Sequence, residues 1–167
     1  MQLAGTFGIV TGDTLYFTQV RLRASPLNLE LLQDVLPVDL PVEGLMVGTV
    51  EVEGPISSLT TRGDVRLMAS TGRGQPAAAT WSGTLDLRPP YGAQALEATV
   101  TELDTDRVPA LARALRLRGV LSGRLQATGR LDHGLHFTTA LEHRVGDGAV
   151  SALEGQGTLH RTGGEAA

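Results

Sequence analysis

Four histidines and one pair of glutamates are the side chains in this sequence whose types and spacing best suit chemistry. His133, His136 and His143, with His160 further on, are candidates for a metal site. Their spacing argues against it. Side chains of a strand alternate between faces, so His133 and His136 point opposite ways and chelate poorly. His133 also falls in a turn beside Gly134. Glu51 and Glu53 are two apart and share a face, as paired carboxylates for acid–base work would. A related segment later in the chain has Gln126 and Thr128 in their places, so the pair reads as a solvated face. Asp104-Thr105-Asp106 begins like a calcium loop but lacks the later carboxylates and glycine, and reads as a helix-start cap. There is no cysteine for a thiolate site and no lysine for a phosphate-cradling G-x-x-x-x-G-K loop. No G-x-S-x-G or H-E-x-x-H is present. The expectation is a protein that is not an enzyme and holds no metal or cofactor.

The elements that place these residues are organised by a repeat. Gly44-Leu45-Met46-Val47-Gly48-Thr49-Val50-Glu51-Val52-Glu53-Gly54-Pro55-Ile56 returns as Gly119-Val120-Leu121-Ser122-Gly123-Arg124-Leu125-Gln126-Ala127-Thr128-Gly129-Arg130-Leu131. Gly44, Gly48 and Gly54 fall on Gly119, Gly123 and Gly129, and Met46, Val50, Val52 and Ile56 fall on Leu121, Leu125, Ala127 and Leu131. Such self-similarity is the signature of a stacked array. Upstream of the blocks, Leu27–Leu36 and Val108–Leu115 carry apolar residues at helical spacing, and Ser25-Pro26 offers a capping hydroxyl followed by a proline. One short helix per repeat is therefore expected. A Gly-Thr-apolar triplet recurs as Gly5-Thr6-Phe7, Gly83-Thr84-Leu85 and Gly157-Thr158-Leu159. The chain reads as a single segment over 1–167, with a first repeat at about 3–80, a second at about 81–154 and the start of a third at about 155–167. It looks like a piece cut from a longer array.

Apart from the two expected helices, the dominant period is two. Val65 and Leu67 alternate with Asp64 and Arg66, Leu85 and Leu87 with Thr84, Asp86 and Arg88, and Leu96, Ala98 and Val100 with Glu97, Thr99 and Thr101. Leu135 and Phe137 alternate with His136 and Thr138; Leu15 and Phe17 are followed by Val20 and Leu22 on shifted parity, which predicts a bulge near Gln19. About nine to eleven short strands are expected, each with one apolar and one polar face. Glycines on the apolar face, Gly48, Gly54, Gly123 and Gly129, favour a sheet that curls toward that face. The core must be aliphatic, since only one Trp, two Tyr and three Phe are present. A net charge of −4 argues against a nucleic-acid surface, and no apolar run approaches the roughly 20 residues of a spanning helix.

The phrases VEGLMVGTVEVEGPISSLTTRGDVRL and LRLRGVLSGRLQATGRLDHGLHFTTALE, each preceded by a capped helical pattern, resemble the repeats of the AsmA-like superfamily, and within it the TamB-type translocation and assembly module proteins. The likeness covers roughly residues 3–160. It implies a mainly β fold: a long curled antiparallel sheet, taco-like, with an aliphatic floor. It implies an envelope protein of the periplasm whose parent is anchored in the inner membrane. The implied function is passage of phospholipid acyl chains between inner and outer membranes, with an outer-membrane β-barrel protein as partner of the parent chain. The groove lining would then be Val50, Val52, Ile56, Val65, Leu67, Leu85, Leu87, Leu125, Ala127 and Leu131. The alternative is a structural or assembly module with a closed apolar core and no lipid cargo. In either case cut strand edges invite self-association.

Overall fold

The computed structural model describes residues 2–11, 15–29, 44–68, 76–105, 118–146, 148 and 150–160. Among them nine strands form one sheet: β1 (Gln2–Val10), β2 (Tyr16–Asn28), β3 (Leu45–Pro55), β4 (Leu59–Met68), β5 (Ala77–Asp86), β6 (Gly92–Asp104), β7 (Val120–Arg130), β8 (Gly134–Arg144) and β9 (Val150–Leu159). They pair antiparallel in chain order, β1 to β9, and the sheet does not close. The fold is thus mainly β, as the alternation requires.

The period-two pattern sets the faces. In β4 the even residues Thr60, Arg62, Asp64 and Arg66 are exposed while Leu59, Thr61, Gly63, Val65 and Leu67 are buried. Directly opposed residues of an antiparallel pair share a face. The register therefore carries the same apolar side from Met46, Val50 and Val52 in β3 through β4 to Ala77, Ala79, Trp81 and Leu85 in β5. Gly48 and Gly123, at equivalent points of β3 and β7, have φ of 146° and 152°. No side chain fits there: a Cβ would stand 2.1 Å from the Asp64 carbonyl oxygen at Gly48 and 2.2 Å from that of Ala140 at Gly123. The recurrent glycines thus mark places where the neighbouring backbone comes close.

Local geometry recurs between the two halves. Leu29 N–H donates to the Gly44 carbonyl at 2.9 Å, and Thr105 N–H donates to Gly119 at 2.9 Å. Ile56 N–H reaches the Leu15 carbonyl at 3.1 Å, and Leu131 N–H reaches Tyr91 at 2.9 Å. The parity break at Gln19 is a bulge, with φ of 47° and a register shift between Phe17 and Val20; Ala95, at 48°, does the same in β6. The Gly-Thr triplets are less regular. Gly83 lies opposite Thr61 and Gly157 opposite Phe137, but Gly5 pairs with Leu22, the counterpart of Ala98, and so takes the place of Trp81.

The start expected for the first helix needs correction. Ser25-Pro26 is not a helix start: both residues lie within β2, which runs on to Asn28. A register shift between Ala24 and Leu27 accommodates them, and a bulge is where a strand tolerates a proline without an N–H. Among the described residues no helical element is complete: Leu29 alone is helical after β2, and Thr105 alone forms a turn of the 3-10 kind after β6. The rest of the first expected helix and the whole of Val108–Leu115 lie outside them. The tightest packing is at one end of the sheet, where β2, β4 and β6 finish. There Leu29, Leu67, Ala77 and Leu103 form one buried cluster, with Met46 and Val100 against it.

Candidate functional site

The polar face carries the groups with chemical potential, and they are engaged with one another. Glu51 pairs with Arg21 at 2.6 Å, while Glu53 is exposed. His136 Nδ1 meets the Thr158 hydroxyl at 2.9 Å, also on this face. His143 stands on the opposite face, its Nε2 3.0 Å from the Arg118 carbonyl. His133, in the β7–β8 turn, is 84 % exposed beside Asp132. Among the described residues no three His, Cys, Asp or Glu side chains converge on a metal position. Asp104 ends β6, and the buried Thr105 hydroxyl accepts the Gly119 N–H at 3.1 Å, which ties β6 to the start of β7; Asp106 lies outside the described residues.

The polar face is also furrowed. One depression of about 510 Å³ is lined by Thr6, Arg21, Glu51, Glu53, Thr60 and Arg62 among others. A second, about 540 Å³, lies among Arg124, Gln126, Thr138, Glu154 and Gln156. Their linings mix polar groups, such as the Arg21–Glu51 pair in the first and Gln126 in the second, with Val20 and Val52 in the first and Ala140 in the second.

One charge cluster fastens the sheet. Arg130 Nη1 reaches the Asp86 carboxylate at 2.7 Å, so β7 is clamped to β5 across β6. The strand between them contributes Gly92, whose missing side chain leaves room for the Arg130 stem; a Cβ there would stand 2.9 Å from Arg130 Cγ. Arg88 holds the same carboxylate from the other side at 3.2 Å. Hydrogen bonds from Arg88, then the charges of Arg88 and Arg130, hold the Asp86 carboxyl below its ordinary value of 3.8. Because the folded-state value is the lower one, this contribution is present above the ordinary aspartate value and is lost as pH falls through the folded value. Thermal melts between about pH 5 and pH 3 should show Asp86→Asn losing less stability than the parent chain. Equal acid sensitivity would remove Asp86 from the acid limb.

The apolar face is not uniformly buried. Following the register, the rank at the sheet end is Leu27, Met46, Leu67, Ala77, Leu103 and Leu121, all buried except the half-buried Met46. The middle rank is Leu22, Val50, Gly63, Trp81, Ala98 and Leu125. Of its side chains, Leu22, Val50, Trp81 and Ala98 are half-buried and Leu125 is 39 % exposed. This rank is an apolar lane crossing the strands.

The expected lining residues divide accordingly. Val50, Val52, Val65, Leu67, Leu85, Leu125 and Ala127 all share the apolar face. Val65, Leu67 and Ala127 are already buried, whereas Val50, Val52 and Leu85 are partly open. Ile56, Leu87 and Leu131 lie past the strand ends, in or beside turns; Ile56 and Leu131 are half-buried and Leu87 is 46 % exposed. They lie at the margin of the apolar face.

Trp81, the lone tryptophan of the sequence, occupies the centre of the lane. Its indole Nε1 donates to the buried Thr61 hydroxyl at 3.0 Å. Its ring lies over Gly63, where a Cβ would come within 2.1 Å of ring carbon Cη2. Phe137 covers Gly157 in the same way in the second half. Aromatic rings laid over strand glycines close gaps in an otherwise aliphatic surface.

No family model, curated protein or solved structure matches this chain. Among the described residues no helix is long and apolar enough to cross a membrane.

Proposed function

We propose that this chain is a hydrophobic-groove unit of the AsmA-like kind, built from two repeats and the opening of a third, which receives phospholipid acyl chains on its apolar face. In this reading the sheet curls toward that face into a taco-like trough, each repeat carries one short helix, and the protein works in the periplasm between inner and outer membranes. An inner-membrane anchor and an outer-membrane β-barrel partner belong to the parent protein. The role is carriage, not catalysis.

The observation that supports this reading best is the half-open middle rank, Leu22, Val50, Trp81, Ala98 and Leu125, on an open sheet whose other face is polar. Apolar surface left partly bare in one continuous lane marks a site for an apolar ligand. A buried methylene contributes about 0.8 kcal/mol, so a chain of some sixteen carbons gains about 10 kcal/mol before ordering costs. The floor offers few polar groups to fix the ligand along its length, which suits sliding passage. Trp81 is held in place by Thr61, so it is a fixed wall of the lane.

A structural or assembly module is the second reading, and the sealed cluster of Leu29, Leu67, Ala77 and Leu103 favours it for one end of the sheet. Solvent extraction and mass spectrometry of the folded, bacterially expressed chain separate the two. Near-stoichiometric phospholipid supports carriage. A folded, lipid-free chain supports the module.

A further inference from the structure

We propose that the indole of Trp81 is a stacking platform for the ring system of an uncharged fused-ring lipid, of the sterol or hopanoid class. The inference rests on the reading that the apolar face takes lipid, and adds a ligand class that the lane admits at this one place. The orientation of the ring carries it. A Cβ built on Gly63 would stand 2.1 Å from Cη2, 2.2 Å from Cζ2 and 2.4 Å from Cζ3 of Trp81. These are three consecutive ring atoms at nearly one distance, so the benzene half of the indole meets Gly63 broadside. A ring standing on its edge would bring one atom close and leave the next two well behind. The indole therefore lies flat along the sheet, reaching from β5 across to β4, with Gly63 buried beneath it. Its Nε1–H is tied to the Thr61 hydroxyl at 3.0 Å, which fixes the ring within that plane. Trp81 is half-buried, as a plate covered on one face is.

The surroundings select the ligand. Small residues border the plate: Ala79 and Gly83 lie two positions away on β5, and Ala98 stands opposite on β6. The patch is thus level as well as rigid. A fused alicyclic skeleton presents a flat face of C–H groups, which the negative face of an indole attracts. It is itself rigid, so stacking costs it little conformational freedom, whereas a flexible acyl chain must be ordered. Charged and polar rings fit worse. Val50, Val65, Ala79, Ala98 and Val100, which flank the plate on this face, carry no charge to pair with an ammonium group. The polar neighbour, Thr61, is buried and already holds the indole, so a quinone's carbonyls would be stripped of water without a donor from these residues. In the second half Gly155 opposes Thr139 as Trp81 opposes Gly63, so the described residues hold a single plate.

The test titrates the folded chain with dehydroergosterol, a fluorescent fused-ring sterol delivered from cyclodextrin, and in parallel with palmitoyl-oleoyl phosphatidylglycerol. Dehydroergosterol should saturate at one molecule per chain and accept excitation energy from Trp81, the only tryptophan. In Trp81→Leu, which keeps an aliphatic surface but loses the plate, the ratio of sterol to phospholipid retained should fall roughly tenfold. Ala98→Leu keeps the indole and its bond to Thr61 and raises a step beside the plate at a half-buried position. It should lower the same ratio by a similar factor, and it carries the test if Trp81→Leu does not fold. An unchanged ratio in the folded variants would overturn the proposal, as would sterol uptake without energy transfer from Trp81. Phospholipid binding with no sterol uptake would overturn the platform and leave carriage standing. Failure of both lipids to bind would overturn the two together.

Discussion

Replacing Gly123 by alanine is expected to cost at least about 3 kcal/mol and to lower the melting temperature by roughly 10 °C. Two penalties combine. The backbone at Gly123 has φ of 152°, a conformation L side chains rarely adopt. The new Cβ would also stand 2.2 Å from the Ala140 carbonyl oxygen and 2.8 Å from Leu141 Cα. Both obstacles are backbone of a hydrogen-bonded neighbouring strand, so relief requires β7 and β8 to part. Gly48→Ala should behave alike, since its Cβ would meet Asp64 and Val65 at 2.1 and 2.7 Å. Gly155→Ala is the control, because the nearest atom to its Cβ is Thr139 Cγ2 at 3.7 Å. Melting curves by circular dichroism decide it. If Gly123→Ala and Gly155→Ala melt together, the close approach of β7 and β8 is not there.

The second large effect is on ligand uptake. Leu125→Glu should reduce bound phospholipid by at least about tenfold while leaving the melting temperature within a few degrees. Leu125 is 39 % exposed, so a carboxylate there keeps access to water in the empty protein. An acyl chain in the lane would strip that water and leave a charge against hydrocarbon, at a cost of several kcal/mol, and each 1.4 kcal/mol is tenfold in affinity. Val50→Glu should act similarly from the other half of the lane, whereas Leu87→Glu, at the rim, should matter less. The comparison is read by lipid extraction from the purified variants. Equal lipid in Leu125→Glu and the parent would place the ligand elsewhere.

Much of the sheet was legible in the sequence because its rule is local. Alternation assigned Val50, Val52, Val65 and Leu125 to one face, and the parity break marked the bulge at Gln19 before any register was known. What misled was Ser25-Pro26: a hydroxyl followed by a proline reads as a helix start, whereas here the pair fills the register shift between Ala24 and Leu27 of β2, which only the pairing partners reveal. The positions of Ile56, Leu87 and Leu131 followed from extending the alternation past the ends of β3, β5 and β7, where no neighbouring strand fixes a face. The pattern of exposure across the apolar face was invisible for another reason: hydrophobic residues occupy buried and half-open ranks alike. The placing of Trp81 over Gly63 joins two strands and could not be read from either alone.

Quenching of Trp81 fluorescence by phospholipids brominated along the acyl chain tests the central claim most directly. Trp81 is the single tryptophan of the chain and stands in the middle of the lane, so its emission reports on that surface alone. Acyl chains held on the apolar face should quench it in a saturable manner, and Leu125→Glu should abolish the quenching. Lipid that binds the chain yet leaves Trp81 emission unchanged, or quenches the Leu125→Glu variant equally, would contradict carriage on this face.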